Sequence, residues 1–357
     1  MKFGLRQWWS YQRRTAAPVV EADLTGKTVL VLGASTGLGL EAAVHFAKLG
    51  AERLILACRS EGKGQAAVAK VKAATQFQNK LELWLVDLVD FASVKRFADK
   101  WDADGGRLDI LVANAALGTM TFTETKDGFE SSLQVANLST PFVVLRLLPS
   151  MLKTAEQHGT VGRIVVVASD AHYWANIDKE VWDGDAGILS TLGSAEYHRK
   201  KGRSAMLDRY SVTKLLNVFF ARALAARIPV SPNGPGGVPP IVVNSVNPGM
   251  CRTEIFRELP GPISLLVSGI QSVVAYTAEE GSRQYVYAAV GEPKHPERLH
   301  GEFIMGGAPA EPSDFVVDDN GKQLERKLWD EVVEILGKAD GKANEIVQSY
   351  LGSPFAS

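Results

Sequence analysis

The sequence predicts a doubly wound α/β domain with a mainly parallel sheet, and three observations carry that prediction. Short β-branched or apolar runs alternate with helical stretches through most of the chain. Several of these runs are near-continuous in Val, Ile and Leu, as in strands covered on both faces. A glycine-rich turn, Gly33 to Gly39, joins the first run to the first helical stretch. Alternation of this kind implies parallel strands joined by right-handed crossovers.

Taken in order, strands are expected over Thr28–Leu32, Arg53–Ala57, Leu81–Val86, Leu108–Ala113, Ile164–Ala168 and Ile241–Val246. Helices are expected over Leu40–Leu49, Gln65–Ala74, Phe91–Trp101, Gly128–Met151 and Leu324–Leu336. Pro141 should kink or reset the fourth of these. Ser231–Pro240, with prolines at 232, 235, 239 and 240, reads as a loop inserted between a helix and a strand. The reading is one domain, residues 24–306, with an N-terminal extension (1–23) and a C-terminal tail (307–357) packed on it. No repeat of solenoid period is present in the sequence.

Composition narrows the function. The chain has 357 residues, 46% hydrophobic and 22% charged, with a net charge of −1. That balance suits a globular protein and offers no global attraction to nucleic acid. Cys58 and Cys251 form no CxxC pair, and the histidines show no HExxH spacing, so no metal site is expected. Residues 1–17 lack the apolar stretch of a secretory signal. They are basic and aromatic (Arg6, Trp8, Trp9, Tyr11, Arg13, Arg14), which suits either a membrane surface or packing on the domain. Ile263–Ala275 is apolar but interrupted and short for a span. The expected location is cytoplasmic, with peripheral membrane association left open.

The motifs sit where this fold would place a nucleotide. Gly33, Ser35, Thr36, Gly37, Leu38 and Gly39 form a GxxxGxG turn from strand to helix, which aims backbone N–H groups at an anion. Arg59, just beyond the second strand, offers a charged fork to a 2′-phosphate where an acid would bind the ribose of NAD; Lys63 adds charge. A plain surface arginine is the alternative. Asp87 and Leu88 follow the third strand, Asn114 the fourth, and Pro248 and Gly249 the sixth, with Thr253 beyond. Tyr210 and Lys214 are four apart on one helix face, where an ammonium is expected to lower the phenol from its free value of about 10. Ser169 ends the fifth strand, and its hydroxyl can donate to a developing oxyanion.

These motifs, in this order over residues 24–306, resemble the short-chain dehydrogenase/reductases, above all retinol-dehydrogenase-like reductases and reductases of secondary-metabolite pathways. The resemblance implies a Rossmann-type fold and catalytic roles for Ser169, Tyr210 and Lys214. It puts Asp87 at the adenine, Asn114 beside the cofactor ribose and Pro248–Gly249 at the nicotinamide. It also implies pairing of two copies through the helix carrying Tyr210, so a homodimer is expected. With Arg59, the cofactor expected is NADP(H). Leu32 replaces the family's usual Thr, and Ala113 and Ala116 replace an Asn and a Gly.

Two departures bear on function. The family's fourth catalytic residue, an Asn, would fall at Ala136, with Asn137 one position later and about 100° around the helix. Either the helix shifts locally to bring Asn137 in, or the relay is built differently, or activity is weak. In the last case the chain is an NADP(H)-binding sensor or scaffold. Second, Ser169 and Tyr210 lie 41 residues apart, farther than usual, and residues 170–207 carry His172, Tyr173, Trp174, Trp182, Tyr197 and His198. That insertion reads as a cover for a bulky apolar substrate or as a flap held by its own tryptophans. With the apolar lid segment in 250–276, it points to a hydrophobic ketone, aldehyde or alcohol as substrate.

Overall fold

The computed structural model describes residues 3–230, 237–252, 269, 271 and 274–352. Strands β1 (Thr28–Leu32), β2 (Arg53–Cys58), β3 (Lys80–Leu85), β4 (Ile110–Ala113), β5 (Gly162–Val167), β6 (Ile241–Asn247), β7 (Phe303–Met305) and β8 (Pro309–Ala310) form one sheet. Its order is β3-β2-β1-β4-β5-β6-β7-β8. Every pairing is parallel except β7 with β8. The doubly wound fold expected from the sequence is the fold observed. The chain reverses its direction of travel across the sheet between β1 and β4, and a crevice opens there at the strands' carboxyl ends.

Helices α1 (Leu5–Gln12), α2 (Gly37–Lys48), α3 (Glu61–Thr75), α4 (Phe91–Asp104), α5 (Ser131–His158), α6 (Arg203–Ala225) and α7 (Ala278–Val290) precede a tail of α8 (Asp319–Ala339) and α9 (Gly341–Tyr350). Apolar residues of α2, α3 and α7 cover one face of the sheet; those of α4, α5 and α6 cover the other, with α8 packed outside α6. Strands β1, β4, β5 and β6 are buried throughout, which explains their unbroken apolar runs. Helix α5 is long and apolar enough to cross a membrane, yet 83% of its most apolar window is buried as core.

Where element ends differ from expectation, polar side chains set them. Strand β4 starts at Ile110, just after Asp109, whose carboxylate accepts from the Thr28 N–H at 2.9 Å and pairs with Arg107 at 2.7 Å. Helix α5 starts at Ser131 because Glu130 caps it, accepting from the N–H groups of Ser132 and Leu133. Pro141 does not break it. The turn Val135–Ser139 is π-helical, and α-helix resumes at Thr140. Pro141 has no N–H to donate and its ring crowds the carbonyl four residues back; a widened turn relieves both.

The tail docks by a period-four stripe, Leu324, Leu328, Val332 and Leu336, and Trp329 stacks on Phe220 at 6.2 Å. Arg146 of α5, 1% exposed, pairs with Asp99, Asp102 and the buried Asp340. Arg146→Met would leave Asp340 buried without its main counter-charge. We expect a loss of about 3 kcal/mol in denaturant unfolding.

Candidate active site

Strand register brings the motif residues to one edge. Leu32 pairs with Ala57 and with Ala113, Ala113 with Val166, and Val167 with Val246. The segments that follow these strands, carrying Gly33, Arg59, Asn114, Ser169 and Pro248, therefore leave the sheet on the same side. Those carrying Gly33, Arg59 and Asn114 border a cleft of about 1650 Å³, whose lining does not include Ser169, Tyr210, Lys214, Pro248 or Gly249. Gly33, Ser35, Thr36, Gly37, Leu38, Gly39, Arg59, Lys63, Asp87, Leu88 and Asn114 all line it. Arg59 and Lys63 are exposed and form no ion pair with another described residue. Thr253 and most of the lid segment lie outside the described residues, as do 231–236 of the predicted loop.

The turn is shaped to receive an anion. Gly33 adopts φ +81, a left-handed geometry. A Cβ on Gly39 would stand 2.4 Å from the Gly33 carbonyl oxygen and 2.5 Å from Asn114 Nδ2. Helix α3 is capped by Ser60 and α4 by Asp90, but Thr36 makes no side-chain cap on α2, whose first turn carries no acid. The positive end of α2 thus faces the cleft without a side-chain acceptor, and the glycines admit a phosphate close to the backbone. These residues fit a dinucleotide. Gly39→Ala should cost about 1–3 kcal/mol and weaken dinucleotide binding, read by thermal unfolding and by cofactor titration.

Asn114 has a fastening role beyond the one the resemblance implied. Its amide donates to the carbonyls of Gly33 (2.9 Å) and Leu32 (3.3 Å), and it accepts from the Tyr285 hydroxyl at 3.0 Å. It ties the turn to β4 and α7.

The fold brings Ser169, Tyr210 and Lys214 together. Ser169 and Lys214 are buried, and Tyr210 is partly exposed. Tyr210 hydrogen-bonds Ser169. The Lys214 ammonium lies 5.7 Å from the Tyr210 ring centre and donates to the Val167 carbonyl at 2.9 Å. The expected lowering of the phenol is overturned here. Burial pushes Tyr210 up to about 12, with Asp170 adding to the rise and the Ser169 hydrogen bond opposing it. Burial likewise lowers Lys214 to about 8. Desolvation thus outweighs the ammonium, because both groups leave water together. A phenol in this state keeps its proton at neutral pH and can give it to an alkoxide.

The helix around Asn137 does shift locally. The π-helical turn carries it to face α6, where its amide donates to the Thr213 carbonyl (3.0 Å) and to Asn217 Oδ1 (2.8 Å). Asn217 in turn donates to the Val167 carbonyl, the same acceptor that Lys214 uses. Asn137 Oδ1 is buried with no hydrogen-bond partner among the described residues. Ala136 is buried as a small apolar residue.

Several residues at the site escaped sequence reasoning. Asp170 is buried, and its carboxyl accepts from Ser169 Oγ (3.0 Å) and from the Trp8 indole (2.9 Å). Gln12 bonds both backbone groups of Met250. Asp170 and Asn217 had a faint signal, one residue after Ser169 and three after Lys214. Trp8 and Gln12 had none, because their contacts span 162 and 238 residues.

The aromatic insertion is tied to the rest of the domain. Its aromatic residues do not line the cleft. Trp182 is buried in the core and its carbonyl accepts from Lys327 of α8. Glu331 accepts from the N–H groups of Leu189 and Ser190. His172 packs on Phe303 and accepts from Ser313 N. These contacts fasten the insertion to the C-terminal tail. Among the described residues there is no group of His, Cys, Asp and Glu arranged to hold a metal.

A family model described as short chain dehydrogenase matches residues 27–178. The short chain dehydrogenase/reductase dmxR8 of Cryptosporiopsis sp. (strain 8999) is 31% identical over 321 residues, covering 89% of this chain and 93% of that protein. The short chain dehydrogenase atnD of Emericella nidulans is 38% identical over 275 residues, 76% of this chain and 82% of its own. This chain belongs to the short-chain dehydrogenase/reductase family. It is therefore an oxidoreductase of a family that uses a nicotinamide dinucleotide. Solved structures share the fold. An uncharacterized protein from Mycobacterium Paratuberculosis superposes with a TM-score of 0.62 at 24% identity, covering 90% of this chain and 97% of that one. A gluconate 5-dehydrogenase from Burkholderia cenocepacia, solved with NADP and tartrate, gives 0.53 at 21%, covering 80% and 96%.

Proposed function

We propose that the chain is an NADP(H)-dependent oxidoreductase that moves a hydride between the nicotinamide and a hydrophobic ketone or aldehyde, or the corresponding alcohol. The observation that carries this reading is the meeting of Ser169, Tyr210 and Lys214 at the carboxyl edge of the sheet. The cofactor, when bound, supplies or accepts the hydride. Tyr210 holds a proton at its hydroxyl for the alkoxide oxygen, and Ser169 steadies the charge growing on that oxygen. Lys214 sets a positive charge behind the phenol. Asn137, through Asn217, holds the carbonyl on which Lys214 rests.

Arg59 and Lys63 support the phosphorylated cofactor. Both are exposed on the cleft wall beyond β2, where a 2′-phosphate would find free charge. Arg59→Asp should weaken NADPH binding roughly ten- to hundredfold, the worth of a charge-assisted hydrogen bond, and NADH binding far less. Equal losses in fluorescence titrations with the two cofactors would remove the argument. The apolar sequence of 256–276 and the partly buried Ala115 and Leu117 at the cleft support an apolar substrate.

The test of the whole reading is a panel of apolar ketones and aldehydes followed at the NADPH absorbance. Turnover of at least one supports it. A protein that binds NADPH and reduces none is a cofactor-binding sensor or scaffold instead.

A further inference from the structure

The N-terminal helix α1 makes polar contacts at two places, with Asp170 beside Ser169 and with the loop after β6. At the first, the Trp8 indole donates to Asp170 Oδ2 at 2.9 Å, and Ser169 Oγ donates to Asp170 Oδ1 at 3.0 Å. Since Ser169 also bonds Tyr210, a single hydrogen-bonded line runs from Trp8 to the phenol. At the second, Gln12, 1% exposed, lies against the loop after β6. Its Oε1 accepts from Met250 N at 3.0 Å, and its Nε2 donates to Met250 O at 2.8 Å and to Val274 O at 3.1 Å. One side-chain amide thus satisfies both backbone groups of the residue after Gly249, much as a neighbouring strand would. The Tyr276 hydroxyl closes the arrangement, donating to the carbonyls of Tyr11 and Arg14. Phe3 anchors the near end by stacking on Tyr173 at 4.8 Å.

We infer that helix α1 is a working part of the active site, with Trp8 and Gln12 as positioning residues: Trp8 holds the Asp170 carboxyl that fixes the Ser169 hydroxyl, and Gln12 sets the Pro248–Cys251 loop. The inference rests on the enzymatic reading of Ser169 and Tyr210. A serine Oγ swings among rotamers unless a partner fixes it, and a displaced Oγ no longer meets the substrate oxygen; the proton it gives Asp170 turns to that oxygen as charge develops there. Asp170 is that partner. A buried carboxyl with a single neighbour would itself turn, and the Trp8 indole removes that freedom. Burial pushes the Asp170 carboxyl up, against the bonds from Ser169 and Trp8, so the group is sensitive to any bond it loses. The loop after β6 has the same need. Gly249 sits at φ +77 in an irregular turn; beyond it Cys251 bridges Tyr276, and Gln12 adds the acceptor for the Met250 N–H that this bridge leaves out.

The experiment uses the full chain and a carbonyl that the wild type reduces; a wild type without turnover overturns the enzymatic reading itself, and this inference with it. Trp8→Phe keeps the ring and removes the N–H. It should lower kcat roughly three- to tenfold with NADPH affinity unchanged. Gln12→Met keeps the volume and removes all three bonds. It should lower kcat by a similar factor and raise the KM for NADPH, because the family resemblance puts the loop it loosens at the nicotinamide. Rates are expressed per NADPH-binding site, so partial unfolding does not mimic an effect. If both variants keep wild-type kcat and KM on that basis, α1 is packing only and the inference fails. A drop in melting temperature with unchanged kinetics per site overturns it in the same way.

Discussion

Replacing Tyr210 by phenylalanine should lower carbonyl reduction roughly 100- to 10,000-fold, the range by which a positioned acid accelerates proton transfer. NADPH binding should stay within about twofold, since the substitution removes an interaction made with the reacting oxygen alone. The protein should fold normally, because only one oxygen leaves a partly exposed position and Ser169 keeps its bonds to Asp170 and to the Ala171 N–H. Stopped-flow reduction with a saturating carbonyl, set beside a fluorescence titration of NADPH, checks both halves. A variant that reduces the carbonyl at the wild-type rate would remove Tyr210 from the chemistry.

Lys214→Met carries the second large expectation, in which activity and stability move apart. Turnover should fall roughly 100-fold, because the phenol loses the cation beside it. Stability at neutral pH should hold or rise. A buried ammonium resting on one carbonyl is costly, and the Val167 carbonyl keeps its bond from Asn217 when the lysine goes. The pH dependence has a definite sign. Burial lowers Lys214 from 10.5 to about 8. Between those values the unfolded chain binds a proton that the folded chain has lost, so this group makes the wild type more stable as pH rises. Below about pH 8 the ammonium is charged in both states and its burial cost is fully present. The stability advantage of the methionine variant should therefore be largest below pH 8 and shrink toward pH 10.5. Urea unfolding at several pH values measures it, and an advantage that grows with pH would contradict the assignment of Lys214 as the buried, destabilised cation.

Much of the framework was legible in the sequence. The six expected strands came through within a residue or two because buried parallel strands favour apolar runs, as in Val29–Leu32 and Ile164–Val167, whereas the short β7 and β8 were not foreseen. The phosphate turn was legible because Gly33 and Gly39 have no room for a Cβ. The spacing of Tyr210 and Lys214 reported a helix face directly. Other features were hidden for equally physical reasons. Asn137 looked misplaced by one residue, since a π-helical turn cannot be read from a 3.6-residue period. The insertion read as either a substrate cover or a flap held by its own tryptophans, and its ties to the C-terminal tail, such as the Trp182 carbonyl to Lys327, lay too far along the chain to be seen.

The sequence alone determined the six main strands and most of the helices between them, the turn shaped for a phosphate, and the identities of the serine, tyrosine and lysine that meet at the sheet's edge. These follow from local rules, each acting within one turn or one strand. Only the tertiary structure decided how those groups are tuned. It set the phenol high and the lysine low through shared burial, and it brought Trp8 and Gln12 to the site from 162 and 238 residues away. Desolvation and long-range hydrogen bonds depend on what else is packed nearby, and no local pattern along the chain records that.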